Sequence, residues 1–242
     1  EEKHPLSQRE YQRIIDALAR HPLVQGLFLA LGSSGMRIGE ALSLKKKDLD
    51  LTGIRIKVNI PATTKTRTGR VTYLSLETEK MIRPYLEKIG LDDSVFTLKN
   101  SNDVSSSIRT MLSRTVDRLQ LVDKYQSNNI RKITTHSFRA YFFTKAARKH
   151  GENYAHKLVG HGGYLMQYDR MTEEEKLEMY IELEPDLAVF EQTKNELEIN
   201  RLRDKVDEID SLRDEVRKLR ESQAKSDKKI IDTMKINGII KS

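Results

Sequence analysis

The chain has 242 residues, with 43 Lys+Arg against 36 Asp+Glu for a net charge of +7, and it contains no cysteine. Without cysteine there is no disulfide framework, no thiolate metal site and no cysteine nucleophile, and no cluster of carboxylates suggests a resident metal or other cofactor. No apolar run approaches membrane-spanning length and no signal peptide is visible, so the chain reads as soluble, intracellular and without a membrane partner.

Hydrophobic residues at 37% and charged residues at 33% are polar for one compact domain, which points to an extended, solvated helix somewhere in the chain. The charge is uneven. From residue 191 onward 13 Lys+Arg meet 12 Asp+Glu, so nearly all the excess sits in the first 190 residues, and a basic body fits a polyanionic partner. The chain begins at Glu1 rather than Met, as an excised fragment does.

In chain order, Ser7 caps a first helix, Glu10 closes a capping box, and Leu6 can staple onto Tyr11. Tyr11, Ile14, Ile15 and Leu18 form its apolar face. Pro22 opens a second helix through Leu31, which Gly32-Ser33-Ser34-Gly35 breaks. A third helix covers 36 to 44, with Arg37 at its first turn and Ile38, Ala41, Leu42 and Leu44 inward. Ile54, Ile56, Val58 and Ile60 alternate with polar residues as a strand ending at Pro61; residues 63 to 70 turn, and 71 to 74 return. Helices follow from Ser75 to Leu86 and, after a loop at 99 to 107, through Leu119. Residues 124 to 132 read as a polar connector.

The chemistry concentrates between 135 and 170. His136 and Arg139 lie three apart, so at a helix start they share one face and can point at one small anionic group, helped by the backbone N–H groups of the helix N-terminus. Phe138, Tyr141, Phe142, Ala146 and Ala147 give that helix a buried face, while Lys145, Arg148, Lys149 and His150 read as solvated. His161 follows Gly160 at the end of a short apolar helix, with Tyr164 and Tyr168 just beyond; His156 reads as structural. Two imidazoles, a guanidinium and a phenol make a site for nucleophilic attack on a phosphate, and Arg37 offers a second guanidinium. Thr172 then caps an amphipathic helix carrying Leu177, Met179, Tyr180 and Leu183, interrupted at Pro185.

In the last third, Ile199, Leu202, Val206 and Ile209 step by 3, 4 and 3, and Leu212, Val216 and Leu219 resume after an extra 3. That is about three heptads with one stammer, expected as a coiled coil, with a single exposed helix folded back on the body as the alternative. Residues 223 to 242 read as a mobile basic tail.

Taken together these motifs resemble the catalytic domain of the tyrosine recombinase (phage-type integrase) family. Gly35-Met36-Arg37-Ile38-Gly39-Glu40-Ala41-Leu42 is similar to that family's arginine motif; Lys65 on the hairpin, His136-x-x-Arg139, Gly160-His161 and a tyrosine follow in the family's order over roughly residues 5 to 185. Tyr168-x-Arg170-x-Thr172 followed by three glutamates resembles the archaeal branch. The resemblance implies a mainly α fold with a small antiparallel β-sheet (α+β) over 1 to 185, and the heptad spacing, outside the resemblance, predicts a coiled-coil helix at 186 to 222. It implies double-stranded DNA as partner, self-association on DNA, a nucleoid location in the cytoplasm, and site-specific recombination or integration through a 3′-phosphotyrosyl link without metal.

In that scheme Arg37, Arg139 and His161 hold the scissile phosphate, His136 assists proton transfer, Lys65 protonates the leaving 5′ oxygen, and Glu40 orients the set from behind. The family's usual tyrosine falls nine residues after the second histidine, where this chain has Arg170, so spacing alone leaves Tyr164, Tyr168 and Tyr180 open. Tyr168, between polar neighbours and just before the Thr172 cap, is the expected nucleophile. A non-catalytic DNA-binding regulator and a type IB topoisomerase-like relaxing enzyme are the alternative functions.

Overall fold

The computed structural model describes residues 4–62, 69–98, 103–160 and 171–236, the side chains through Ile231. Within these, the elements are α1 (Gln8–Ala17), α2 (Pro22–Ser34), α3 (Ile38–Ser43), a 3-10 turn (Lys46–Asp48), β1 (Leu49–Asp50), β2 (Lys57–Ile60), β3 (Arg70–Tyr73), α4 (Leu76–Leu86), α5 (Val104–Arg118), α6 (Thr135–His150), α7 (Glu152–Val159), α8 (Glu173–Leu187) and α9 (Glu191–Ile236). The three strands form one antiparallel sheet in the order β1-β2-β3, with Val58 opposite Leu49 on one side and Thr72 on the other. The fold is therefore mainly helical with a small antiparallel sheet, as expected. It divides into two units, Glu1–Asn195 and Glu196–Ser242.

The first unit is built around α2. From Val24 to Ser34 every residue of this helix is buried, and it packs against α4 and α6. Its apolar residues occur all round rather than on one face, which suits a helix with neighbours on every side. Each fully buried Leu or Phe there contributes about 1.5–3 kcal/mol of burial free energy. Around it, Tyr11, Phe138 and Tyr141 pack edge to face, with Tyr11 5.2 Å from Phe138 and 5.0 Å from Tyr141.

Burying α2 to its end creates a demand, because the last carbonyls of a helix have no partner within it. Side chains from three other elements meet it. Tyr180 of α8 donates to the Ser33 carbonyl at 2.9 Å and Thr72 of β3 donates to the Ser34 carbonyl at 2.8 Å. Arg139 of α6 donates to the Gly35 carbonyl at 2.5 Å. The buried end of α2 is thus the point where sheet, α6 and α8 converge.

Several boundaries differ from the sequence reading. The helix expected to stop at Leu31 runs on to Ser34, and Gly35, at φ +66°, ends it. Gly32 is needed inside the helix because a Cβ there would lie 2.1 Å from the Tyr11 hydroxyl oxygen. Ile54 is 61% exposed and precedes the strand, which is only Lys57–Ile60. Pro185 lies within the last turn of α8 and does not end the helix, although it removes the N–H that would have met the Ile181 carbonyl. The 124 to 132 segment is held by a bridge between Lys124 and Arg131 and by an Arg131–Asp117 ion pair at 2.7 Å. His150 is half-buried, bonded to the Met179 carbonyl at 2.8 Å, where a solvated residue was expected.

The boundary expected at 185 falls inside the first unit. Leu187, Ala188 and Val189 are core residues, and the buried Glu77 carboxylate accepts the N–H of Val189 at 2.9 Å and of Phe190 at 2.8 Å. Those two bonds occupy donors at the start of α9. In the second unit the helix has no break near 222 and continues to Ile236. Among the described residues no helix is long and apolar enough to cross a membrane.

Candidate active site

The site is assembled at two helix ends. Gly35 closes α2, the chain extends through Arg37, which occupies the N-cap of α3, and Glu40 stands in the first turn of α3. Glu40 accepts the Arg37 backbone N–H at 2.7 Å and the Arg37 Nη1 at 2.9 Å, so it caps its own helix and holds the side chain of the residue that starts it. Its two oxygens also take Arg70 as a fork, Nη1 at 3.0 Å and Nη2 at 2.6 Å. Burial alone would raise the Glu40 carboxyl; Arg70 and Arg37 outweigh it and bring the group down to about 2. Glu40 is therefore the anionic link between α3 and β3.

The second helix end belongs to α7. Gly160 ends it at φ +72°, and a Cβ at that position would lie 2.6 Å from the Arg70 Cδ, so only glycine leaves room for the Arg70 side chain. Arg70 Nε donates to the Leu158 carbonyl at 3.0 Å, and Arg139 Nη2 donates to the Val159 carbonyl at 2.7 Å. Arg139 thus joins the ends of α2 and α7, and both of its neighbouring helix termini present the negative end of their dipoles to it.

Three guanidinium groups, Arg37, Arg70 and Arg139, consequently surround one carboxylate. Burial, then the charges of Arg37 and Arg70, lower the Arg139 guanidinium to about 9, with Glu40 opposing; it stays charged at neutral pH but carries an unfavourable environment that an added anion would relieve. Among the described residues, the ion pairs made by the cluster all end on Glu40. Arg70 is nearly enclosed at 7% exposure with three donor atoms engaged, whereas Arg37 is 32% exposed. The cluster opens to solvent at Arg37.

Of the residues singled out from sequence, the structure brings Arg37, Glu40 and Arg139 together. His136 sits exposed on the first turn of α6, one turn before Arg139, where its N–H meets the capping Thr134 hydroxyl at 3.3 Å. It lines a cavity of about 420 Å³ with Arg109 and Arg131. Lys65, His161, Tyr164 and Tyr168 lie outside the described residues. The member of the cluster that the sequence reading did not single out is Arg70, which it placed only within the 63 to 70 turn; the signal available was Gly160, whose missing side chain makes its space.

The described tyrosines narrow the phenol question. Tyr11, Tyr73, Tyr141, Tyr154 and Tyr180 are buried, and each hydroxyl donates to a fixed partner, Tyr180 to the Ser33 carbonyl and Tyr154 to that of Lys176 at 3.1 Å. Burial raises Tyr180 well above its ordinary value, which opposes the loss of a proton on attack. Tyr180 is a core residue. Among the described residues no group of three or more His, Asp or Glu side chains is placed to hold a metal ion.

Comparison with known proteins places the fold. The XerA recombinase structure superposes with a TM-score of 0.55 at 22% identity over 75% of this chain and 65% of its own. The integrase of mycobacterium phage Brujita gives 0.54 at 18% identity over 78% and 60%. The XerH site-specific recombinase bound to its difH substrate gives 0.52 at 19% identity over 69% and 50%. This chain thus spans between half and two thirds of the length of these proteins, and the likeness is one of fold. No curated protein sequence matches it. The Phage integrase family model matches residues 4–168, a segment that holds Arg37, Glu40, Arg70 and Arg139 together with the hairpin and α6 and α7, and the chain belongs to that family.

Proposed function

We propose that this domain is a site-specific DNA recombinase that cleaves and rejoins DNA strands through a tyrosyl phosphodiester. The observation that carries this reading is the net positive, partly buried cluster of Arg37, Arg70 and Arg139 around the single carboxylate Glu40, open at Arg37. A phosphodiester in attack gains charge on its nonbridging oxygens, and fixed guanidinium groups in a site of low dielectric offset that charge without reorganisation.

Arg37 and Arg139 are the guanidinium groups that bind those oxygens; of the donors on Arg139, Nη1 and Nη2 already engage carbonyls and orient the group. Arg70 and Glu40 are positioning residues. The Tyr168 phenol oxygen forms the new bond to the 3′ phosphate, the bond from phosphorus to the 5′ oxygen breaks, and Lys65 delivers the proton to that oxygen. His136 assists the transfer of the phenol proton and His161 adds a further contact to the phosphate. The link keeps the energy of the phosphodiester for rejoining to a second strand, and the steps reverse to release the enzyme.

Double-stranded DNA is the partner, the excess charge of the first 190 residues supplying its attraction. The location is the nucleoid, the element an integrating one of archaeal type. The second unit, a helix with a stripe of exposed apolar residues, supplies self-association through a coiled coil.

The test is a suicide substrate, a DNA site nicked so that cleavage traps the enzyme on one end. A covalent adduct that forms in excess chelator and maps to a Tyr168 peptide is the expected result, with Tyr168→Phe retaining DNA affinity and forming none. An adduct on Tyr164 moves the nucleophile. Loss of cleavage in chelator, restored by magnesium, overturns the guanidinium mechanism.

A further inference from the structure

The exposed stripe of α9 contains more than a tendency to associate. Ile199 is 49% exposed, Leu202 62%, Val206 55%, Ile209 48%, Leu212 53%, Val216 46% and Leu219 63%, all on a helix whose remaining residues in this span are polar. Assigned to heptad positions, Ile199 and Val206 fall at a and Leu202 at d. After the stammer, Leu212 and Leu219 fall at d and Val216 at a, while Ile209 ends the first frame as d and opens the second as a. Every a position is β-branched, and every d position outside the shared Ile209 is leucine. That distribution favours two parallel strands over three or four.

The charged flanks select the orientation independently. In a parallel, in-register pair each g residue meets the e residue five positions later on the partner helix. The four such pairs are Glu198 with Arg203, Lys205 with Asp210, Glu208 with Arg213, and Glu215 with Arg220, and all four are of opposite sign. In an antiparallel pair g meets g and e meets e; in the symmetric arrangement centred on Ile209 this sets Glu198 against Glu215 and Arg203 against Arg220, and leaves only Lys205–Glu208 and Asp210–Arg213 of opposite sign. Arg213 and Asp210, 3.1 Å apart on one helix, are both exposed, at 76% and 63%, so exchanging this contact for partners on a second helix costs little. The Arg217–Asp214 pair at 3.1 Å lies at b and f, away from the seam, and is kept.

We infer that residues 198 to 220 form a parallel, in-register, two-stranded coiled coil with a second copy of this chain. The inference sharpens the self-association proposed above and is independent of the DNA chemistry. Because the first unit precedes α9 in the chain, a parallel coil leaves two catalytic units at the same end of one coil, so a single dimer would carry both active sites of a pair to DNA. A symmetric antiparallel coil would place them at opposite ends.

The experiment uses the full chain, whose lack of cysteine makes an introduced thiol unique. Sedimentation equilibrium at tens of micromolar should give about twice the 28.0 kDa chain mass. Leu202→Cys, oxidised with glutathione disulfide, should form a disulfide dimer, since residue 202 meets its own copy only in the parallel register. Glu208→Lys with Glu215→Lys should weaken the dimer roughly tenfold, and adding Arg213→Glu with Arg220→Glu to the same chain should restore it. A monomer mass overturns self-association altogether. A dimer mass without the Leu202→Cys cross-link, or without restoration in the fourfold variant, overturns the parallel register while leaving self-association intact. A trimer mass overturns the strand number. None of these readouts depends on cleavage.

Discussion

The two units hold the same kinds of ion pair in opposite surroundings. In the first, Arg70 and Glu40 meet at 2.6 Å with each side chain 7% exposed, and Arg70 Nε donates to the Leu158 carbonyl at the end of α7. In the second, Arg217 and Asp214 meet at 3.1 Å with 67% and 62% exposed. Solvent decides what each pair is worth. Removing one partner of an enclosed pair strands the other without water, whereas an exposed pair exchanges one solvated contact for another. The enclosed pair fixes Arg70 and Glu40 in place; the exposed pairs matter only where a second helix removes the water.

The largest effect that would break this contrast is catalytic. Arg37→Ala and Arg139→Ala should each lower the rate of strand cleavage about 10²–10³-fold in a suicide-substrate assay, with DNA affinity changed far less. They should separate on stability. Arg139 bonds the Gly35 and Val159 carbonyls, so its removal should lower the melting temperature more than loss of Arg37, whose guanidinium is 32% exposed and whose partner Glu40 keeps Arg70. Equal losses of DNA affinity and of cleavage for both would make them backbone-binding residues instead.

Next comes Glu40→Gln, which leaves the enclosed Arg70 without its carboxylate partner and should cost about 3–5 kcal/mol in denaturant unfolding at neutral pH. The sign with pH follows from its depressed value. A carboxyl brought from 4.5 to about 2 stabilises the fold above about 4.5 and loses that contribution as pH falls towards 2. The stability gap between wild type and Glu40→Gln should therefore close across that interval; a gap constant with pH would show that Glu40 does not act as a carboxylate.

Smaller again is Gly160→Ala. The left-handed cap and the approach of Arg70 should together cost about 1–3 kcal/mol, and the variant should cleave more slowly because Arg70 is displaced from Glu40. Wild-type unfolding and cleavage in Gly160→Ala would mean that the α7 cap does not position the cluster. At the lower end, Asp214→Asn should leave cleavage, melting temperature and association state unchanged. A measurable loss there would mean that exposed pairs of α9 carry more than solvent exposure allows.

A truncated chain for comparing the two units should end at 195 rather than 185. Ending at Pro185 would remove Leu187, Ala188 and Val189 from the core and leave Glu77 with no N–H partners from Val189 and Phe190. Burial raises the Glu77 carboxyl, with the two backbone N–H groups opposing, so the shorter chain would report a damaged body and not an absent helix.

What sequence determined by itself was whatever depends on near neighbours in the chain. The Ser7–Glu10 and Thr172–Glu175 capping boxes, the hairpin, the apolar face of α6 and the periodic stripe of α9 rest on contacts three or four residues apart, or on alternation along a strand. The pairing of Arg37 with Glu40 is local in the same sense. Tertiary structure decided what joins distant segments. That α2 runs past Gly32 follows from the Tyr11 ring; that Pro185 sits inside a helix and Tyr180 in the core follows from packing on α2 and the sheet. Arg70 reaches Glu40 across 30 residues and Arg139 reaches Gly35 across 104, because two buried helix ends need donors that their own turns cannot supply. Composition shows that arginines are present; only the folding together of those helix ends gathers three of them, two bonded to the Glu40 carboxylate and Arg139 to the helix-end carbonyls beside them.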